Sequence, residues 1–182
     1  MKIRTRNIDQ NIITNHELKV AVDYYLSLML PRHRNRNIEL SISMAPLDIK
    51  GYIEWVDKPV KPRKFRMVLN SLYKKKQTLL TLAHECVHLK QYVLDELRDA
   101  SRNTSKWKKE SFDIDKVHYY DHPWEIEAYG REWGLYVRYM ESLGGAFYEP
   151  RPKTSRKKGG LLEQSSEPGK VINNNDLLGF LA

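Results

Sequence analysis

The chain is short of cysteine, of long apolar runs and of acidic charge. Its single cysteine among 182 residues is Cys86, which excludes an internal disulfide and any all-cysteine zinc cluster. No apolar run approaches the ~18–20 residues that cross a bilayer. The N-terminus, MKIRTRNIDQNIITN, has no apolar core of the ~7–15 residues that a secretion signal carries. These absences describe a soluble protein with no membrane partner, expected in the intracellular, cytoplasmic compartment. Lys and Arg number 31 against 23 Asp and Glu, a net charge of +8, and the pI is about 9.4. Such a surface favours acidic partners such as nucleic acid without requiring them.

What is present suffices for one domain. A hydrophobic share of 41% supports a single core of about 100–150 residues plus an appendage. Residues 1–150 are expected to form that domain. Residues 151–182 read as a basic, flexible tail, because RPKTSRKKGGLLEQSSEPGK is rich in charge, Gly, Ser and Pro.

Apolar residues recur at helical spacing over 16–30, where Pro31 ends the pattern. Asn37–Met44 alternates with period two, and Gly51–Val56 and Lys64–Leu69 are rich in β-branched and aromatic residues. A small, mainly antiparallel sheet of about three strands is expected. A long helix follows from Lys74 to Arg98, with a stripe centred near Leu79, Ala83 and Leu97. A polar connection spans Asp99–Tyr120. Asp121 then suits a cap and Pro123 a first turn for a second long helix that Gly144 and Gly145 stop. The fold class is α+β.

The first long helix carries His84-Glu85-Cys86-Val87-His88. Histidines at i and i+4 stand one turn apart on one face and can share a zinc ion. The glutamate between them is turned aside, where it can serve water rather than metal. From the composition, a chance match to this pattern is expected only roughly 0.014 times in such a chain. His84 and His88 also lie roughly 120–160° from the apolar stripe, which separates them from core histidines. Cys86 faces the stripe and reads as a buried, inert thiol.

A catalytic zinc needs a third protein ligand and an open position. The downstream candidates are His118, His122, Glu125, Glu127 and Glu132. The second helix shows an apolar stripe of Ile126, Tyr129, Trp133, Tyr136, Val137 and Met140. Glu125 falls about 65° from its centre and Glu127 about 135°. Glu127 also precedes Arg131 by four residues, the spacing of a solvent-facing ion pair. Glu125 is therefore preferred, with His122, His118 and Glu127 left open.

HECVH followed by a helix that opens PWEIEAYGRE resembles the zincin metallopeptidases whose third ligand is a glutamate on the next helix, the gluzincin type. There the ligand often precedes an alanine by three residues, as Glu125 precedes Ala128. The span 15–145 is similar to small SprT-like metallopeptidases of tailed bacteriophages. The resemblance implies a zincin-like fold, a host-cytoplasmic location and a histidine ligand in the SprT-like branch, which keeps His122 and His118 open. Many glutamate zincins carry Asp or Asn where this chain has Tyr129. The long HExxHxxGxxH motif of metzincins is not present.

The expected function is that of a zinc-dependent metallopeptidase, a hydrolase of protein or peptide substrates. Zn2+ held by His84, His88 and Glu125 would activate water, and Glu85 would act as general base. Tyr119, Tyr120, Tyr129 and His118 are candidate donors to the oxyanion. In zincin-like folds the strand before the metal helix commonly pairs with substrate, which would make Lys64–Leu69 either a substrate-binding edge or an ordinary charged edge.

Basic runs at Arg32–Arg36, Lys61–Arg66, Lys74–Lys76, Lys106–Lys109 and Arg151–Lys158 admit a peptidase that works on DNA-bound protein. Trp107, Tyr119, Tyr120, Trp124 and Trp133 read as core or cleft wall before base-stacking. The alternative is a non-catalytic nucleic-acid-binding or virion-associated module with a structural zinc. A third reading is hydrolysis of a non-peptide amide such as a cell-wall crosslink.

Overall fold

In the first turn of helix α1 (Asn15–Met29) the chain settles its own start. The Thr14 hydroxyl accepts from the Glu17 amide at 3.1 Å, and the Glu17 carboxylate accepts from the Thr14 amide at 3.0 Å. This reciprocal cap satisfies two donors that a helix end leaves unpaired. The computed structural model describes residues 1–32, 37–58, 60–101 and 103–144. The tail expected at 151–182, its basic run and most of Arg32–Arg36 lie outside the described residues.

Four strands form the main sheet: β1 (Lys2–Arg6), β2 (Glu39–Ala45), β3 (Gly51–Trp55) and β4 (Lys64–Asn70). Alternation sends Leu40, Ile42 and Met44 of β2 and Phe65, Met67 and Leu69 of β4 into the core. Full burial of each such side chain contributes about 1.5–3 kcal/mol.

The order is β1-β2-β4-β3, and only the β3–β4 pair is antiparallel. This corrects the expected three-stranded, mainly antiparallel sheet. Helix α1 carries the chain back across one face between β1 and β2, so those strands run parallel. Strand β1 escapes notice in the sequence because its residues, KIRTR, are mostly polar and sit at an edge.

A second correction follows from the order. Strand β4 is interior, hydrogen-bonded to β2 and β3, so Lys64–Leu69 is neither a substrate edge nor an ordinary edge. Its Arg66 forms an ion pair across the strands with Glu54, its register partner. The edge nearest the helices is β3.

Helix α2 (Lys75–Val93) lies under the sheet, against β3, β4, α1 and α3. Every residue from Thr78 to Val93 is buried. It ends short of the expected Arg98, because Asp95 adopts φ +62° and the Glu96 amide turns back to the Gln91 carbonyl at 2.8 Å. Leu97, expected in the helical stripe, enters a strand instead.

The expected polar connection contains a three-stranded antiparallel sheet, β5 (Leu97–Ser101), β6 (Thr104–Trp107) and β7 (Glu110–Asp113). Lys108 and Lys109 close the β6–β7 hairpin with φ +47° and +82°. A two-residue hairpin needs these left-handed values and is usually signalled by Asn-Gly, so two lysines conceal it.

A single 3-10 turn, Tyr119–Asp121, leads into α3 (Pro123–Ser142). The residue at its N-cap is His122, not Asp121 as expected, and no side chain caps it, while Pro123 fills the first turn. Gly144 takes φ +89° just beyond the end. The buried side of α3 is Trp124, Glu125, Ala128, Leu135, Tyr136 and Tyr139. Ile126 and Trp133, expected in the stripe, are 57% and 52% exposed. The first half of α3 rests on the polar side of α2, so hydrophobic periodicity points away from its true contact there.

The architecture is α+β, with helices packed on one face of a mixed sheet. Among the described residues no helix is long and apolar enough to cross a membrane.

Candidate metal centre

The helical repeat stacks His84 over His88 on the side of α2 that meets α3, their ring centroids 4.8 Å apart. Their Nε2 atoms approach to 3.1 Å. The first turn of α3 brings Glu125 against both, with Oε2 3.4 Å from His84 Nε2 and Oε1 3.4 Å from His88 Nε2. Tetrahedral zinc with bonds of about 2.0–2.1 Å separates its ligand atoms by roughly 3.3 Å. The two imidazole nitrogens are close to that spacing, each Glu125 oxygen meets it toward one histidine, and one ligand atom from each residue lies within 4.8 Å of the others. His84, His88 and Glu125 are 7%, 8% and 5% exposed, and together they could hold a metal ion. The Glu125 Oε2 atom is buried with no hydrogen-bond partner, a condition a carboxylate oxygen rarely keeps unless something else takes its lone pair.

The outer ring nitrogens face acceptors. His84 Nδ1 lies 2.9 Å from Glu132 Oε2, and His88 Nδ1 lies 2.8 Å from Gln91 Oε1. Both contacts favour a proton on Nδ1 and turn Nε2 inward. Glu132 stands two helical turns after Glu125, so one face of α3 supplies both carboxylates. It was expected among the ligand candidates; instead it meets the outer nitrogen of His84. Tyr129 lays its ring against His84, with centroids 4.6 Å apart.

Electrostatics follow from this crowding. Burial raises the Glu85 carboxyl above its ordinary range. Burial also opposes the charged form of His84, but the Glu125 and Glu132 carboxylates outweigh it and raise the imidazole to about 9. Glu125 is pushed up by burial and pulled down further by His84 and His88, to about 2. Three carboxylates around two imidazoles make a place where a cation is favoured.

Two clefts open beside these groups, of about 450 Å³ and 220 Å³. Both are lined by Ile49, Gly51, His84, Glu85 and Tyr119, so they meet over the centre. The larger continues past Tyr73, Thr81, Tyr120 and Tyr129. The smaller runs past Tyr52, Ile53 and Tyr92. A Cβ at Gly51 would lie 2.9 Å from Thr81 Cγ2 and from the Val68 carbonyl oxygen. Glycine therefore allows β3 to begin this close to α2.

The other expected residues lie elsewhere. His118 stacks on Tyr120 and its Nδ1 accepts from the Tyr120 amide at 3.4 Å. His122 is buried with its ring stacked on Trp124, centroids 4.6 Å apart, and its Nε2 has no hydrogen-bond partner. Neither joins the cluster. Glu127 bonds Arg131 at 2.9 Å as the spacing suggests, but it also accepts from Lys90 at 2.8 Å. It is drawn inward rather than facing solvent.

Trp107 and Trp124 are buried in the core, whereas Tyr119, Tyr120 and Trp133 are exposed. Cys86 is wholly buried and burial pushes its thiol up, so it is inert. Several lysines of the basic runs are engaged: Lys75 with Glu17 at 2.6 Å, Lys76 over Trp133 and Lys108 over Trp107. Gln91, which bonds His88 at 2.8 Å, is a site residue that the motif does not include. Its signal is the three-residue step from His88.

No protein-family model, curated protein or solved structure matches the chain.

Proposed function

We propose that the protein is a zinc-dependent metallopeptidase with a zincin-like arrangement of the gluzincin type. The observation that carries the reading is the convergence of His84 Nε2, His88 Nε2 and the Glu125 carboxylate beside Glu85, where two clefts meet. His84, His88 and Glu125 would hold the ion. Zinc bound there supplies Lewis-acid polarisation of a carbonyl and acidification of water.

The remaining steps belong to the chain. Glu85 takes the proton of the attacking water and passes it to the departing amine nitrogen. Tyr119, Tyr120 and Tyr129 line the larger cleft and supply candidate hydroxyl donors for the developing oxyanion. His118, turned onto Tyr120, is the poorest of the four expected donors. Protein or peptide is the substrate class, since the outer edge of β3 borders the cleft and an extended chain can add to such an edge. The similarity of the span 15–145 to SprT-like phage metallopeptidases supports the same reading.

Elemental analysis and hydrolysis of a fluorogenic peptide library test the reading together. The expected result is about one zinc per chain, kept in Glu85→Gln and His122→Ala and lost in Glu125→Ala. Peptide hydrolysis should fall by about 10²–10⁴-fold in Glu85→Gln. A parent protein that takes no zinc, even when zinc is supplied, overturns the enzyme and leaves the nucleic-acid-binding module.

A further inference from the structure

Gln91 is wholly buried, at 0% exposure, although it is polar. Its amide nitrogen donates to the Trp124 carbonyl at 2.9 Å and to Glu127 Oε2 at 3.1 Å. Both partners are acceptors only, so the NH2 end of the amide must face them. The amide oxygen is thereby turned to His88 Nδ1, 2.8 Å away. An oxygen there can only accept, which requires the proton on Nδ1 and frees Nε2. Glu127 is itself held by Lys90 at 2.8 Å and Arg131 at 2.9 Å, so the acceptor that orients the amide is fixed.

We infer that Gln91 is the positioning residue of His88: with Trp124 and Glu127 it locks the imidazole as the Nδ1–H tautomer and aims Nε2 at the centre. The inference rests on the proposed metal site. His84 receives the same service from a carboxylate, Glu132. The two histidines are thus held by different chemistry, an amide dipole on one side and a full charge on the other. Outer partners of this kind commonly govern metal affinity by about 10–100-fold.

Two substitutions and two readouts test this on the full chain. Zinc affinity is measured by competition with a chromophoric chelator, and the His88 tautomer by 15N NMR of the metal-free protein. Gln91→Leu keeps the shape and removes the acceptor; it should weaken zinc binding about 10–100-fold and populate the Nε2–H tautomer. Gln91→Glu keeps an oxygen acceptor for His88 Nδ1 but sets its other oxygen against the Trp124 carbonyl and Glu127, so it should keep the Nδ1–H tautomer and lose less zinc affinity than Gln91→Leu.

A purely packing role predicts equal losses in both variants and an unchanged tautomer, and that result overturns the inference. So does an Nε2–H tautomer of His88 in the parent, which decides the matter even where Gln91→Leu does not fold. If the parent takes no zinc, the metal-site reading fails separately. The tautomer comparison between parent and Gln91→Leu then still supports or overturns the role of Gln91.

Discussion

The two sides of α2 are buried to nearly the same degree and held by opposite means. On its apolar part it carries Leu82, Ala83, Cys86, Val87 and Leu89, each at 0% exposure within the hydrophobic core. Toward α3 it presents His84, His88 and Gln91, all at 8% or less, and Glu85, at 5%, faces the clefts. The apolar side gains from burial directly and needs no particular partner. The polar side loses hydration and must recover it through named contacts: Glu132 for His84, Gln91 for His88, Trp124 and Glu127 for Gln91. Burial alone therefore does not separate core from site; the presence of partners chosen one by one does.

The sharpest way to break the contrast is to alter chemistry without altering burial. Glu85→Gln preserves the size of a side chain that is 5% exposed. Hydrolysis should fall by about 10²–10⁴-fold, the usual worth of a general base, with zinc content unchanged. A fall in activity accompanied by loss of zinc would assign Glu85 to the ligand set instead.

On the apolar side the opposite is expected. Leu82→Ala should cost about 2–5 kcal/mol of stability, by the lost transfer energy and the cavity left behind. Chemical denaturation reads the loss, and the folded fraction should bind zinc as the parent does. Zinc affinity lowered in that fraction would show that the two sides are coupled.

Smaller again is the outer shell. Glu132→Gln keeps an acceptor oxygen for His84 Nδ1 but removes its charge. Zinc binding should weaken by about tenfold, at the low end for such partners. An unchanged affinity would mean that the dipole suffices on this side, as it does at His88.

The least effect lies at the surface, where Glu17 joins α1 to α2 through Lys75. The Lys75 ammonium, then the Thr14 amide, lower this carboxyl from 4.5 to about 2. A folded pKa below the ordinary one gives stability that is present above pH 4.5 and is lost as pH falls toward 2. Glu17→Gln should flatten the melting temperature over that window. The change is a fraction of 1 kcal/mol, about 0.5, because the pair is solvent-screened.

Legibility in the sequence follows the same division. The HECVH helix, the alternation of β2 and the first turn of α3 could be read because each depends on spacing along the chain. The angle that favours Glu125 is measured from a stripe containing Ile126 and Trp133, yet both are exposed. The carboxylate reaches the histidines because the polar half of α3 meets the polar side of α2, a contact no hydrophobic period can report. The second sheet is hidden in the sequence because Lys108 and Lys109 adopt left-handed conformations that lysine seldom signals.

By itself the sequence determined the pairing of two imidazoles one helical turn apart, with a glutamate between them. That geometry comes from the 3.6-residue repeat and needs no tertiary partner. Only the tertiary structure decided which carboxylate closes the set and which groups face the outer ring nitrogens. It also decided that β3, rather than β4, borders the cleft. Those choices depend on residues 33 to 48 positions apart in the chain, brought together by burying α2 between a sheet and α3. Local spacing can propose such partners, but the shared cost of burying polar groups selects them.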